Sequence, residues 1–318
     1  MVGRPRYQTI ISDSARWDAL SLRAGDVIVS TPPKAGTTWM QTLCALLVFD
    51  GADFGGRLSE ISPWLDMLTR PIESVVASLD AQTHRRIIKT HTPLDGLPWD
   101  ERVTYVVVGR DPRDISVSWD HHADNLNLAS LWSARAAAVG LDDLADLGPL
   151  PSAAADPVER FWAWAEAEGP SLTGPTLKEI LHHLQTGWHR RHESNVALFH
   201  YADLKADLPG EMSRLAGALG MDVGPTRLAQ LAAEGTFEAM KARADELVPD
   251  RANKIWLDNS SFFHKGANGQ WLDVVDRDGI ARYGARVAEL AAADLGTWAH
   301  LGWQGLTARG PAVGLRLG

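Results

Sequence analysis

The chain has 318 residues, 45% of them hydrophobic, and a formal charge of −9. That acidic balance excludes a nucleic-acid-coating role, which needs a basic face, but leaves room for a local cationic pocket that takes a small anion. The single cysteine, Cys44, excludes an internal disulfide and a metal site built on cysteines alone. No apolar run reaches signal-peptide length at the start or membrane-span length elsewhere, so the expectation is a cytoplasmic protein without a membrane anchor.

In chain order, Asp26–Thr31 is a short apolar run that reads as a buried strand, which Pro32 and Pro33 end. Trp39, Leu43, Leu46 and Leu47 then recur at helical spacing, predicting a helix over Thr37–Phe49. Arg86–His91 is a second predicted strand. Val103–Gly109 is a third, with the continuous β-branched character of a parallel strand covered on both faces. Pro112 suits the first position of a helix running toward His122. Residues 123–190, rich in Ala, Leu, Asp and Pro with a helical stretch at Val158–Ala167, read as a helical insertion over the sheet. Asn195–Tyr201 is a fourth predicted strand, followed by helical segments over Asp203–Gly220. A C-terminal amphipathic helix is expected over Asp278–Leu301, and a flexible tail over 305–318. Strands alternating with helices imply one α/β domain around a mainly parallel sheet.

The strand–loop–helix unit around Pro33-Lys34-Ala35-Gly36-Thr37-Thr38-Trp39 carries the first chemical signal. A helix start offers unpaired N–H groups and partial positive charge, and so holds an anion. Gly36 lets the backbone come close, Lys34 adds a charge, and Thr37 and Thr38 add hydroxyls. The triphosphate loop G-x-x-x-x-G-K-[ST] does not fit, because Thr31 stands at its first glycine and Thr37 at its lysine. A second signal is Gly109-Arg110-Asp111-Pro112 leading to Ser118: a guanidinium at a strand end grips a phosphate with its planar fork, and a hydroxyl completes the shell.

These two motifs together resemble the phosphate-binding elements of the cytosolic-type sulfotransferases, which use 3′-phosphoadenosine 5′-phosphosulfate (PAPS). The first resembles the 5′-phosphosulfate loop, with Ala35 where the family usually has Ser. The second resembles the 3′-phosphate motif. Phe263-His264-Lys265-Gly266 followed by Gly269-Gln270-Trp271 resembles the family's Arg-Lys-Gly and Gly-Asp-Trp segment, with His264 in place of the arginine. Tyr201, and Thr236-Phe237 on the adenine side beside Trp39, also match. Among bacterial members the chain looks similar to mycobacterial glycolipid sulfotransferases. The resemblance spans about residues 25–275, and the insertion, where it is weak, is where acceptor recognition is expected. It implies a P-loop-like three-layer α/β/α fold, PAPS as co-substrate with PAP as product, and no required metal.

It also implies a mechanism. Lys89-Thr90-His91-Thr92-Pro93 resembles the family segment whose histidine is the general base. Residues two apart on a strand face the same way, so Lys89 and His91 are expected to point into one site. In-line attack by an acceptor hydroxyl on sulfur follows, with Lys34 meeting the charge on the leaving phosphate. The thirteen tryptophans suit an apolar or aromatic acceptor: an alcohol, phenol, sterol or glycolipid. Trp64, Trp119 and Trp132 are pocket candidates by their position. The pairs His121-His122 and His182-His183, and His189 with His192, lack a carboxylate or cysteine set for a metal and read as surface or pocket residues. The Lys…Thr-Val…Glu segment by which many animal members dimerise is not evident after Trp271, so a homodimer has no motif behind it. Two other readings stay open: a small-molecule kinase that shares the strand–loop–helix unit, and a nucleotide-binding protein that kept the fold without the chemistry.

Overall fold

The computed structural model describes residues 3–146, 148, 153–169, 171, 174–249, 253–263 and 265–309. Four strands, β1 (Val27–Ser30), β2 (Ile87–Thr90), β3 (Thr104–Gly109) and β4 (Val196–His200), form one parallel sheet in the order β2-β1-β3-β4. Each lies within a predicted strand, shortened by a residue at one or both ends.

Side chains alternate across the sheet, as a strand requires. Val27, Val29, Val106 and Val108 enter one core with Met40, Leu43 and Leu46 of the helix Thr37–Val48. Ile28, Ile88, Tyr105 and Val107 enter the other with Leu181, Leu184 and Trp298. Both faces are therefore covered, which is why these strands are apolar without a polar alternate face.

Register puts the chemistry at one edge. Ser30 pairs with Thr90 of β2 and Val107 of β3, and Gly109 pairs with His200 of β4. The segments that leave the carboxyl ends, beginning at Thr31, His91, Arg110 and Tyr201, thus emerge side by side. In open α/β sheets this is the edge where ligands bind.

Leu177–His189, the last helix of the segment read as an insertion, packs on the sheet: Leu181, Leu184 and Trp188 share a core with β1, β2 and β3. One predicted element comes out differently. The expected C-terminal helix is two helices, Arg277–Leu290 and Ala293–Arg309, because Ala291 is extended. The second continues past Gly305, so residues 305–309 are helical, while 310–318 lie outside the described residues. Gly302 breaks its geometry, and the buried Asp203 carboxylate accepts the freed N–H of Trp303 at 2.8 Å.

β1 and β2 are tied below the edge by a buried ion pair. The guanidinium of Arg86 donates to both oxygens of Asp26, at 2.8 and 2.5 Å, with both side chains fully buried. Removing one member leaves an uncompensated buried charge, a cost of about 3–5 kcal/mol. Arg86→Met is therefore expected to lower unfolding stability in urea by that order; a loss under about 1 kcal/mol would show that the pair anchors nothing.

Candidate active site

Pro32 and Pro33 end β1, and the chain turns through Lys34 and Gly36, both with positive φ (66° and 104°). A β-carbon at Gly36 would sit 3.1 Å from the Tyr201 ring, so the turn needs glycine for both conformation and space. The helix then starts at Thr37, and no described side chain caps it. Its first N–H groups face an anion site. Thr37 turns its hydroxyl to Thr31, 2.5 Å away. Ala35 does not line the cavity: its methyl is buried in the core and its N–H bonds Pro32 at 3.3 Å.

Arg110 leaves β3 and is 5% exposed. It donates to the carbonyls of Lys34 and Ala267, each at 3.0 Å, and its guanidinium lies 4.5 Å from the Tyr201 ring centre. Its Nε is buried without a partner among the described residues. A buried donor left open in this way calls for an acceptor oxygen from outside the protein. The helix Pro112–Asp124 follows, with Asp111 capping it and Ser118 on the cavity wall.

Asp114 of that helix accepts from the N–H groups of Gly269 at 2.9 Å and Gln270 at 2.8 Å. It thereby seats the third motif against the second, although the two are far apart in sequence. Lys265 and Gly266 line the cavity. Gly266 has φ 58°, and a β-carbon there would meet the Phe237 ring at 2.5 Å. Lys205 bonds the Gly266 carbonyl at 2.7 Å. His264 lies outside the described residues. Trp39, Tyr201, Thr236 and Phe237 all line the same cavity, and Trp39 is held by a 2.8 Å bond to the Gly235 carbonyl.

Lys89 and His91 reach the same space from the end of β2. His91 Nδ1 lies 2.7 Å from the Thr31 carbonyl. A carbonyl only accepts, so Nδ1 carries the proton and Nε2 keeps a lone pair. Burial, with Lys89 nearby, holds the His91 pKa well below its ordinary value. Burial, with Arg110 and Lys89, lowers that of Lys34 to about 7.

The cavity of about 470 Å³ has two characters. Its lining carries Lys34, Lys89, Arg110, Lys205 and Lys265, against Glu238 as the one carboxylate among the described lining residues. It also carries Ile11, Trp64, Trp119, Leu131, Trp256 and Phe262, with Lys89 against Trp64 and Lys34 against Phe262. Trp64 and Trp119 are where position suggested; Trp132 does not line the cavity. His122, read as a surface or pocket residue, lines the cavity one turn after Ser118. Sequence reasoning missed Trp256, which no periodic pattern marks, and gave no pocket role to Phe262, which opens the third motif and lines the cavity from a short 3₁₀ turn. His183, read as a surface or pocket residue, is buried in the core at 3.0 Å from the Ser30 hydroxyl. Among the described residues no group of three or more His, Cys, Asp or Glu is arranged to hold a metal, and no helix is long and apolar enough to cross a membrane.

The family model of the sulfotransferase domain matches residues 24–292. The chain belongs to the sulfotransferase family. Its reaction is transfer of a sulfuryl group from PAPS to an acceptor hydroxyl, so neither the kinase nor the non-catalytic reading is kept. It is 47% identical to a glycolipid sulfotransferase of Mycobacterium bovis over 96% of this chain and 97% of that one. It is 25% identical to mouse sulfotransferase 1B1 over 83% of each chain. Two solved structures share the fold. One is retinol dehydratase with androsterone and the inactive cofactor PAP (TM-score 0.66, 24% identity, 87% of this chain and 83% of that one). The other is a mouse sulfotransferase complexed with PAP (TM-score 0.65, 18% identity, 92% and 96%).

In this sulfotransferase the Asp114 carboxylate joins two motifs, and two hydrogen bonds to a charged acceptor are lost with it. Asp114→Ala is expected to weaken PAP binding by about tenfold or more in calorimetry at a temperature where the variant is folded. Unchanged affinity would mean that the Lys265 segment does not touch the nucleotide.

Proposed function

We propose that His91 is the general base of the transfer and that the acceptor is a glycolipid or a similarly amphipathic alcohol. The observation that carries the first part is the 2.7 Å contact of His91 Nδ1 with the Thr31 carbonyl, which commits Nε2 to accepting a proton inside a cavity that also holds Lys34 and Lys89. The depressed pKa keeps the imidazole neutral, and so free to accept a proton at the cost of base strength, throughout the neutral range.

The cationic lining fits the donor. Lys34, Thr37, Thr38 and the helix start would hold its 5′-phosphate. Arg110, Ser118, Lys265 and Gly266 would hold its 3′-phosphate, and Trp39, Tyr201, Thr236 and Phe237 its base. The unpartnered Arg110 Nε and the uncapped helix start support this fit. When bound, PAPS supplies the sulfuryl group and a phosphate leaving group. Lys34 would then neutralise charge on the phosphate side, and Lys89, steadied 4.3 Å from the Trp64 ring centre, would stabilise the sulfuryl group. The glycolipid assignment rests on the names of the 47% and 46% identical relatives and on the tryptophan-rich wall. A cytoplasmic location suits a chain whose one thiol, Cys44, is buried and pushed up to about 12 by that burial.

With PAPS and octyl β-glucoside or 2-naphthol as acceptors, His91→Ala is expected to lower kcat by about 10²–10⁴ while PAP affinity stays within a few fold. Near-normal turnover would remove His91 from the mechanism. Transfer to the phenol but never to the glycoside would overturn the acceptor class.

Donor binding has a pH dependence of definite sign. Lys34 must be charged to attract phosphate, and its pKa of about 7 means that the free protein loses this charge above neutrality. PAP affinity is therefore expected to fall between pH 7 and 9, approaching about tenfold per unit. Lys34→Arg should flatten the decline at high affinity and Lys34→Met at low affinity. The same slope in Lys34→Met would assign the titration to another group.

A further inference from the structure

The helix Pro112–Asp124 presents Ser118 to the cavity and, one turn later on the same face, His122. His122 Nδ1 lies 3.1 Å from Lys34 Nζ. Its ring is fixed by Trp256, Trp119 and Phe262, with ring centres at 4.7, 5.3 and 5.9 Å. Lys34 Nζ in turn lies 5.1 Å from the centre of the Phe262 ring. We propose that His122 is a positioning residue: its neutral imidazole accepts a hydrogen bond from Lys34 and holds the ammonium in the cavity beside its aromatic side chains.

The chemistry of the contact constrains the tautomer. Taken as an ammonium, Lys34 has no lone pair, so the bond then requires one on Nδ1, with the imidazole proton on Nε2. The groups that face His122 all favour that neutral form. Lys34 comes from the loop after β1, Lys89 from β2 and His91 from just beyond it, and burial adds to them. No described carboxylate pairs with Lys34. A carboxylate there would pin the lysine and cancel its field. A neutral acceptor holds the side chain in place without cancelling the charge of its protonated form. Because the imidazole is packed among rings of the aromatic wall, the lysine is aimed from the acceptor side although its backbone belongs to the phosphate loop.

The proposal rests on the reading of Lys34 as the lysine of sulfuryl transfer, and its test is separate from that reading. Protein labelled with ¹³C at lysine Cε, its Lys34 signal identified by its loss in Lys34→Arg, is titrated by NMR. His122→Phe keeps the ring packing but removes the acceptor. It is expected to lower the Lys34 midpoint by about one pH unit or more, as loss of a hydrogen bond to a charged group should. His122→Asn, which puts an amide near the Nδ1 position, should restore the midpoint to within a few tenths of a unit. An unchanged midpoint in His122→Phe overturns the proposal. Should that variant not fold, the ¹⁵N spectrum of the unaltered protein decides, with His122 assigned through His122→Asn: a bare, hydrogen-bonded Nδ1 is expected, and a protonated Nδ1 overturns it. Calorimetry with PAP tests the donor reading apart from this. Failure to bind PAP would sink that reading and leave the NMR result standing.

Discussion

Mutual repulsion among Lys34, Lys89 and Arg110, all brought to the carboxyl edge of one parallel sheet, is the constraint on which the rest of the site depends. Parallel register forces it, because segments leaving adjacent strands in the same direction must emerge together. At a protein surface, water would screen the charges. Here they are largely buried, so the protein must stabilise them by other means. Lys89 lies near the Trp64 ring, Lys34 near Phe262 and Arg110 near Tyr201. Aromatic faces stabilise a cation without neutralising it. Arg110 adds two backbone carbonyls, which are neutral too. The result is a cavity whose positive field stays available to an anion.

The same economy explains where the carboxylates are. Asp26 is spent on Arg86 beneath the sheet, and Asp111 on Arg113 at 2.7 Å, outside the cavity lining. Asp114 uses its two oxygens on the backbone of Gly269 and Gln270. Asp66 is fully buried behind the end of β2. One of its oxygens accepts from the hydroxyls of Thr90 and Thr92, both at 2.6 Å, which bracket His91 in sequence. Each of these acidic groups shapes the frame around the cavity without lining it, and among the described residues Glu238 is the one carboxylate that does.

The aromatic wall has a double role. Trp64 lies near Lys89 and meets His91 edge-on at 4.7 Å, so one indole orders both the cation and the proposed base. Trp256 and Phe262 pack His122 and, through it, reach Lys34. Side chains that would bind an apolar acceptor are therefore also those that hold the charged groups in place. Excluding water from that wall strengthens every charge interaction beside it.

By itself the sequence determined the four strands and the helix after Gly36, while resemblance to a family grouped Lys34, Lys89, His91, Arg110 and Ser118 as an expected set. Strand and turn are local signals: a buried strand is a run of apolar residues, and a phosphate-binding turn needs glycine and hydroxyls at short spacing. Only the tertiary structure decided which distant residues join them. His122 looked like half of an undirected histidine pair until the helix angle and the loop brought it to Lys34. Trp256 and Phe262 stand outside any long helix or strand, where no periodicity marks a buried face. Asp114 acts on Gly269 across 155 positions. The helix Leu177–His189 was expected over the sheet, but nothing local says which strands it covers. Its role is set by the partner that buries its apolar face, and that partner is chosen by the fold as a whole.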